Sequence, residues 1–371
     1  MKKVIILAAV AIAAVACSRT YDVAPASDQA IGFGSWTGYL TKARVQGSNT
    51  FTDGDDFAVY GYKATSGTNA TVFDDVTVST TDGTNWTYSP LRYWDRNADT
   101  YVFYAVSPAA IGRAATVDPQ TGEITSAGIS FSGSNNDILV ADKETVAQAD
   151  FGSQVVLDFN HVASLVDFKV AKASTLHDAT VTVTAFTLGN IQDAGVMSVN
   201  DAYNADVYGG SAGPVVTWSS TGKGSYTPAS AVNAVTLPIV IAEDDAFPVP
   251  AVPADGKSTM LINNLVVKPQ AFAEPSTAER ANPADAADAQ KLTITYTIAI
   301  TGGDTTTYTS TLFLYDFDLE NDAYQSTVLN NIGWNTGKHY TFYITLDSTP
   351  IVFGATVHDW TVANGYHYLL N

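Results

Sequence analysis

One cysteine, Cys17, is all that the 371 residues contain, so no disulfide can form within the chain and zinc sites built on thiolates are excluded. Positive charge is scarce as well: 18 lysines and arginines stand against 37 aspartates and glutamates, for a formal charge of -19. That sign argues against nucleic acid as a partner, because phosphates need a basic face. It suits a soluble protein that must not adhere to anionic surfaces. No apolar run reaches the roughly 20 residues that a membrane-spanning helix requires. Long helical periods are missing too, while Thr, Val, Ser, Tyr and Phe are abundant, so β structure is the expectation.

What is present begins at the first residues. Lys2 and Lys3 form a basic start, an apolar run extends from Val4 to Val15, and small residues precede the cysteine; these are the parts of an export signal. Ala14-Val15-Ala16-Cys17 resembles the bacterial lipobox, in which a signal peptidase cuts before the cysteine and acyl chains are attached to it. Ala14 departs from the leucine more often found there. The expectation is a signal peptide over 1–16 and a lipid-attachment site at Cys17, where several acyl chains would anchor the protein stably. An ordinary signal peptide with an incidental cysteine, or a buried free thiol, are the alternatives that the residues leave open.

From residue 31 onward, short alternating or apolar runs recur between turn residues: 58–62, 71–79, 100–107, 154–159, 164–170 and 179–188. A second series follows at 234–242, 259–267, 291–300, 305–315 and 339–346. This spacing predicts antiparallel sandwiches, with a division near Ala173–Asp178 that gives domains over 45–175 and 176–371. Two segments rich in Pro, Ala and acid, 243–257 and 268–290, break the pattern. Proline is excluded from central strands, so both are expected as surface loops, with a single helical turn available to the alanines of NPADAADAQ.

Catalytic signatures are sparse. None of the five histidines, His161, His177, His339, His358 and His367, is paired at helical ligand spacing, and His161 between apolar flanks reads as a hydrogen-bonded core or strand-end residue. Gly209 to Gly213 satisfies GxSxG on paper, but a nucleophile elbow needs a helix after the serine, and Pro214 with a β-rich run follows instead. Asp53, Asp55 and Asp56, and Asp316, Asp318, Glu320 and Asp322, offer oxygens to calcium, yet neither group has EF-hand spacing and solvated turns explain them. Six Trp and nineteen Tyr serve sugar platforms or half-buried strands equally well.

Several stretches in order, IGFGSWTGYLTKAR (31–44), DDFAVYGYKA (55–64), PLRYWDRNADTYVFYAVSP (90–108), NDILVADKETVA (136–147), VVLDFNHVASLVDFKV (155–170) and IGWNTGKHYTFYITLDSTPIVFGATVHDW (332–360), resemble the fimbrillin family, the type V pilins and related surface lipoproteins of Bacteroidales. The resemblance implies two tandem transthyretin-like antiparallel β-sandwich domains, no catalytic activity and no cofactor. It implies export to the outer membrane as a lipoprotein, then cleavage by an arginine-specific protease that removes an N-terminal strand. The open groove would accept a strand from another pilin subunit, so that a fimbrium grows by donor-strand exchange and serves cell adhesion. On this chain the propeptide would be 17–44 and the processing site Arg44, whose TKARVQGSNT context has the composition of an exposed linker; Arg19 competes. In the C-terminal TVANGYHYLLN, Val362, Tyr366, Tyr368 and Leu370 fall on one side of an extended strand and form the candidate donor strand, unless that strand pairs within its own domain. A permanently lipid-anchored pilus base, or a surface lipoprotein that binds glycan, stands as the alternative, and a secreted β-sandwich hydrolase as a third.

Overall fold

The computed structural model describes residues 29–35, 51–118, 122–131, 137–208, 211–226, 236–243, 245–247, 257–317, 333–348 and 352–359. Strands dominate, as the composition predicts, and they form several largely antiparallel sheets.

A first seven-stranded sheet takes its order from Phe159–His161, Leu139–Ala141, Thr100–Ser107, Asp56–Thr65, Thr68–Thr80 and Trp86–Thr87, with Glu144–Ala147 also pairing Thr100–Ser107. Its central strands alternate between two apolar faces. Phe57 and Val59, with Tyr101, Phe103 and Ala105, face one core, while Ala58, Tyr60 and Tyr62, with Tyr104 and Val106, face another. A period of two places successive side chains on opposite faces, and here both faces are covered. The first core is closed by a two-stranded parallel pair, Phe33–Ser35 with Val155–Leu157. The second is closed by Ile124, Ile129, Met197 and Val199 from the neighbouring sheet.

That neighbour is a second seven-stranded sheet, ordered Thr305–Phe313, Lys291–Ile300, Ala179–Tyr208, Ile124–Ser130 and Ala115–Val117, with Ser211–Tyr226 and Ile239–Val240 also on Ala179–Tyr208. Against it lies a five-stranded sheet in which Ser164–Ala173 runs parallel to Lys338–Leu346 and antiparallel to Thr259–Val267. Val166, Phe168, Val170, Phe342, Ile344 and Leu346 from one sheet meet Val181, Val183, Phe186, Leu188, Ile294 and Tyr296 from the other in the largest core. This face-to-face arrangement is a β-sandwich.

The 30-residue strand Ala179–Tyr208 serves both parts: Val181 and Val183 belong to the sandwich core, and Met197 and Val199 to the core under the first sheet. Ser164–Ala173 precedes the expected division near residue 175, yet its partners are strands of the later series. The segment 268–290 holds the short helix Thr277–Ala281, started by a capping box in which Ser276 and Glu279 satisfy each other's backbone N–H groups. A 3-10 turn, Pro283–Asp285, follows.

Candidate functional site

The segment Gln29–Ser35 sets two side chains, Ile31 and Phe33, into the core of the first sheet. Its backbone is bonded on both sides. The Ile31 N–H donates to the Arg92 carbonyl at 2.8 Å, and the Trp94 N–H donates to the Gln29 carbonyl at 3.3 Å, around an antiparallel bridge between Ala30 and Tyr93. On the opposite side the Val155 N–H donates to the Gly32 carbonyl at 2.8 Å, in parallel register with Phe33 beside Val155. Side chains complete the hold: the Tyr88 hydroxyl donates to the Ile31 carbonyl at 2.7 Å, and the Gln154 amide donates to the Phe33 carbonyl at 2.6 Å. Burial pushes the Tyr88 hydroxyl above its ordinary pKa, so it stays protonated and able to donate.

The alternation of Ile31, Gly32, Phe33 and Gly34 sorts bulk from backbone. Ile31 and Phe33 are fully buried. The Phe33 ring sits edge-on to Phe73, Tyr88, Phe103 and Phe57 at centroid distances of 5.3, 5.6, 5.8 and 6.1 Å, the geometry that aromatic quadrupoles favour. Gly61, on the strand Asp56–Thr65, makes room for this cluster: a Cβ there would lie 2.8 Å from the Phe73 ring and 3.0 Å from Phe103. Outward, Gly32 faces open space, and Gly34 lies beneath the Gln154 side chain. Around this bare backbone stand Leu91, Tyr93 and Val156, exposed by 52, 51 and 43%. They form an apolar rim that the resident strand leaves uncovered.

The site is thus a groove lined with rings and rimmed with apolar residues, filled by two side chains and a few backbone bonds. Burying Ile31 and Phe33 contributes about 2–3 kcal/mol each. Removal of the segment would expose the ring pocket and strand-pairing groups on both walls, which is a template for another strand.

Other chemistry singled out in the sequence has structural employment. His161 is buried with Nδ1 3.0 Å from Asp137, and His339 Nε2 lies 2.8 Å from Asp167, whose other oxygen accepts the Asn264 N–H at 2.6 Å. Ser211 of the GxSxG stretch begins a hairpin strand, with no helix after it. Asp55 accepts the Thr52 N–H within its turn, and Asp316 takes a two-pronged ion pair from Arg280. Among the described residues no cluster of three or more His, Cys, Asp or Glu is arranged to hold a metal ion.

Cys17, Arg44, Val362, Tyr366, Tyr368 and Leu370 lie outside the described residues, as do Asp318, Glu320 and Asp322. In the sequence Arg44 falls between the strand Phe33–Ser35 and Phe51, a buried member of the same core. The alternation of 31–35 was readable in the sequence. The residues that receive it were not, since Tyr88 and Gln154 stand 57 and 121 positions from the atoms they bond.

A family model described as fimbrillin-like matches residues 41–360. Among solved structures, a fimbrial protein from Bacteroides vulgatus superposes with a TM-score of 0.54 at 16% identity, over 90% of this chain and 100% of that one. The tip fimbrial protein Mfa3 from Porphyromonas gingivalis aligns over 89% of this chain and 98% of its own, at 10% identity and a TM-score of 0.32. The fimbrial anchor protein Mfa2 from the same organism covers 89% and 96%, at 9% identity and a TM-score of 0.27. No curated protein sequence matches the chain.

Proposed function

The chain belongs to the fimbrillin-like family, and from that premise we propose that it is a structural subunit of a cell-surface fimbrium, assembled by exchange of the strand that now fills its own groove. The observation that carries this reading is the placement of Ile31 and Phe33: a short segment, held in a two-stranded sheet of its own, sets two buried side chains into an aromatic core. In the proposed sequence of events the protein is exported as a lipoprotein, held at the outer membrane through acylated Cys17, and cut after Arg44 by an arginine-specific protease. Lipid and strand then leave together. A second subunit supplies a replacement strand with apolar residues at alternate positions, and main-chain bonds give affinity while the pockets of Ile31 and Phe33 give register. The tail 362–371, with Val362, Tyr366, Tyr368 and Leu370 on one side, is the segment of this chain proposed as donor. Because donor and acceptor surfaces differ, the contact is head to tail and propagates as a filament. Its role is mechanical, and no catalytic step is assigned to it.

The test is processing. Treatment of the purified full chain with an arginine-specific protease is expected to give a new N-terminus at Val45, followed by a ladder of stable oligomers. Arg44→Ala is expected to stay intact at that position and monomeric. A ladder formed by Arg44→Ala without cleavage there would overturn the assignment of Arg44.

A further inference from the structure

The second seven-stranded sheet ends in Thr305–Phe313, and among the described residues nothing pairs with its outer edge. It runs against Lys291–Ile300 in unbroken register from Lys291 opposite Phe313 to Ala299 opposite Thr305. Natural edge strands are protected from other chains by lysine, proline, bulges or short length. The nine residues TTTYTSTLF carry no charge, no proline and no bulge. Their solvent face continues a field of threonines: Thr307 lies opposite Thr297, Thr309 opposite Thr295 and Thr311 opposite Thr293, the last two pairs joined through their hydroxyls at 3.0 and 3.1 Å. Below, Tyr308 stacks on Tyr296 with centroids 5.4 Å apart. At one end Ala286 and Ala289 cover Phe313. This uncharged ground lies on a chain with 37 acidic and 18 basic residues, whose net charge opposes the approach of copies through charged surfaces.

We propose that residues 305–311 form a self-complementary edge at which two copies of this chain pair antiparallel about a two-fold axis through Tyr308. In that register Thr305 meets Thr311 and Thr307 meets Thr309, so every outer pair is threonine on threonine. Thr306 meets Ser310 and Tyr308 meets its own counterpart, and the covered Phe313 stays outside the contact. A second copy is the occupant because the edge matches itself in side-chain class at every position, and because its lack of charge removes the repulsion that the rest of the chain imposes. Main-chain hydrogen bonds supply the affinity. The interface is isologous, so it closes as a pair, and it lies on a different sheet from the N-terminal strand groove; within a fimbrium it would join filaments side by side.

Sedimentation velocity of the unacylated full chain carrying Cys17→Ser, over a range of concentrations, is expected to show a monomer–dimer equilibrium. The pair Thr307→Lys with Thr309→Lys, and separately Thr307→Glu with Thr309→Glu, should each weaken self-association about tenfold by opposing like charges across the axis. Mixing the two proteins should restore association. Thr295→Lys, one strand inward on the same face, should leave it unchanged, since only the edge is used. A chain that stays monomeric at every concentration, a mixture that fails to associate, or an equal loss in Thr295→Lys overturns the proposal. If the charged variants do not fold, amide exchange on the parent Cys17→Ser chain decides: slower exchange across 305–311 at higher concentration supports the pairing, and unchanged exchange overturns it.

Discussion

Phe33 and Gly32 show how one residue fills the groove while its neighbour leaves it incomplete. Phe33 meets four rings in a fully enclosed site, so Phe33→Ala in the uncut chain is expected to cost about 3–5 kcal/mol, the range for emptying a buried aromatic position. Gly32 has ordinary backbone geometry and open space where a Cβ would stand, with the Tyr93 and Val156 side chains exposed nearby. Gly32→Val is therefore expected to stabilise the uncut chain by about 0.5–2 kcal/mol, by restricting the unfolded state and covering the rim. A melting temperature that rises for Gly32→Val and falls for Phe33→Ala supports this account of the groove. A fall in both would show that the outer side of the strand has no room to spare. The inward residues could be read from alternation alone. The rim could not, because Leu91, Tyr93 and Val156 become neighbours only through pairing across more than fifty positions of sequence.

Among elements, compact apolar or alternating runs are legible to within a residue or two: the runs at 100–107, 259–267 and 291–300 are the strands Thr100–Ser107, Thr259–Val267 and Lys291–Ile300. The strand Ala179–Tyr208 extends far beyond the run at 179–188, because its second half is held between Ser211–Tyr226 on one side and Ile124–Ser130 on the other, with only the spaced residues Ile191, Met197 and Val199 to mark its buried side. The prolines of 268–290 predict a loop, whereas the structure starts a short helix there, Thr277–Ala281, from the capping box of Ser276 and Glu279. Ser164–Ala173 is buried along nearly its whole length, so its apolar run marks a central strand without naming the partners on either side. Pairing also sets local stability. Phe33–Ser35 has three residues and sits in a two-stranded sheet, whereas Thr100–Ser107 lies inside seven strands. The amide of Ile31, held by the Arg92 carbonyl, and that of Val155, held by the Gly32 carbonyl, are expected to exchange by local opening at least tenfold faster than the amide of Val106, as elements with few contacts do. Equal protection at all three sites would mean that the N-terminal strand opens only with global unfolding, which would count against the proposed replacement of that strand by another subunit's.

At the scale of the whole molecule, the long strand Ala179–Tyr208 ties the sandwich core to the core beneath the first sheet, and one buried charge lies on that tie. Lys268 is 1% exposed, and its Nζ donates to the Pro269 carbonyl at 3.1 Å. Its stem crosses Gly195 of the long strand, where a Cβ would come within 2.9 Å of it. Burial pulls the Lys268 ammonium down to about 8 from the ordinary lysine value of 10.5. A lysine depressed in the folded state holds its proton more weakly there than in the unfolded chain, so the unfolded state binds more protons between those two values. Stability must then rise with pH across that window, and the penalty of the buried charge is full below it. Between pH 7 and 9.5 the expected gain is about 2 kcal/mol. Tyrosines act against it only at higher pH, where the unfolded chain ionises while burial keeps Tyr60, raised to about 12, protonated in the fold. Lys268→Met keeps the stem's volume and removes the proton, so it is expected to be the more stable protein at pH 7 and to lose about 2 kcal/mol of that advantage by pH 9.5. Denaturant unfolding of both proteins at the two pH values measures the difference directly, and parallel pH profiles would show that the Lys268 ammonium is solvated in the fold.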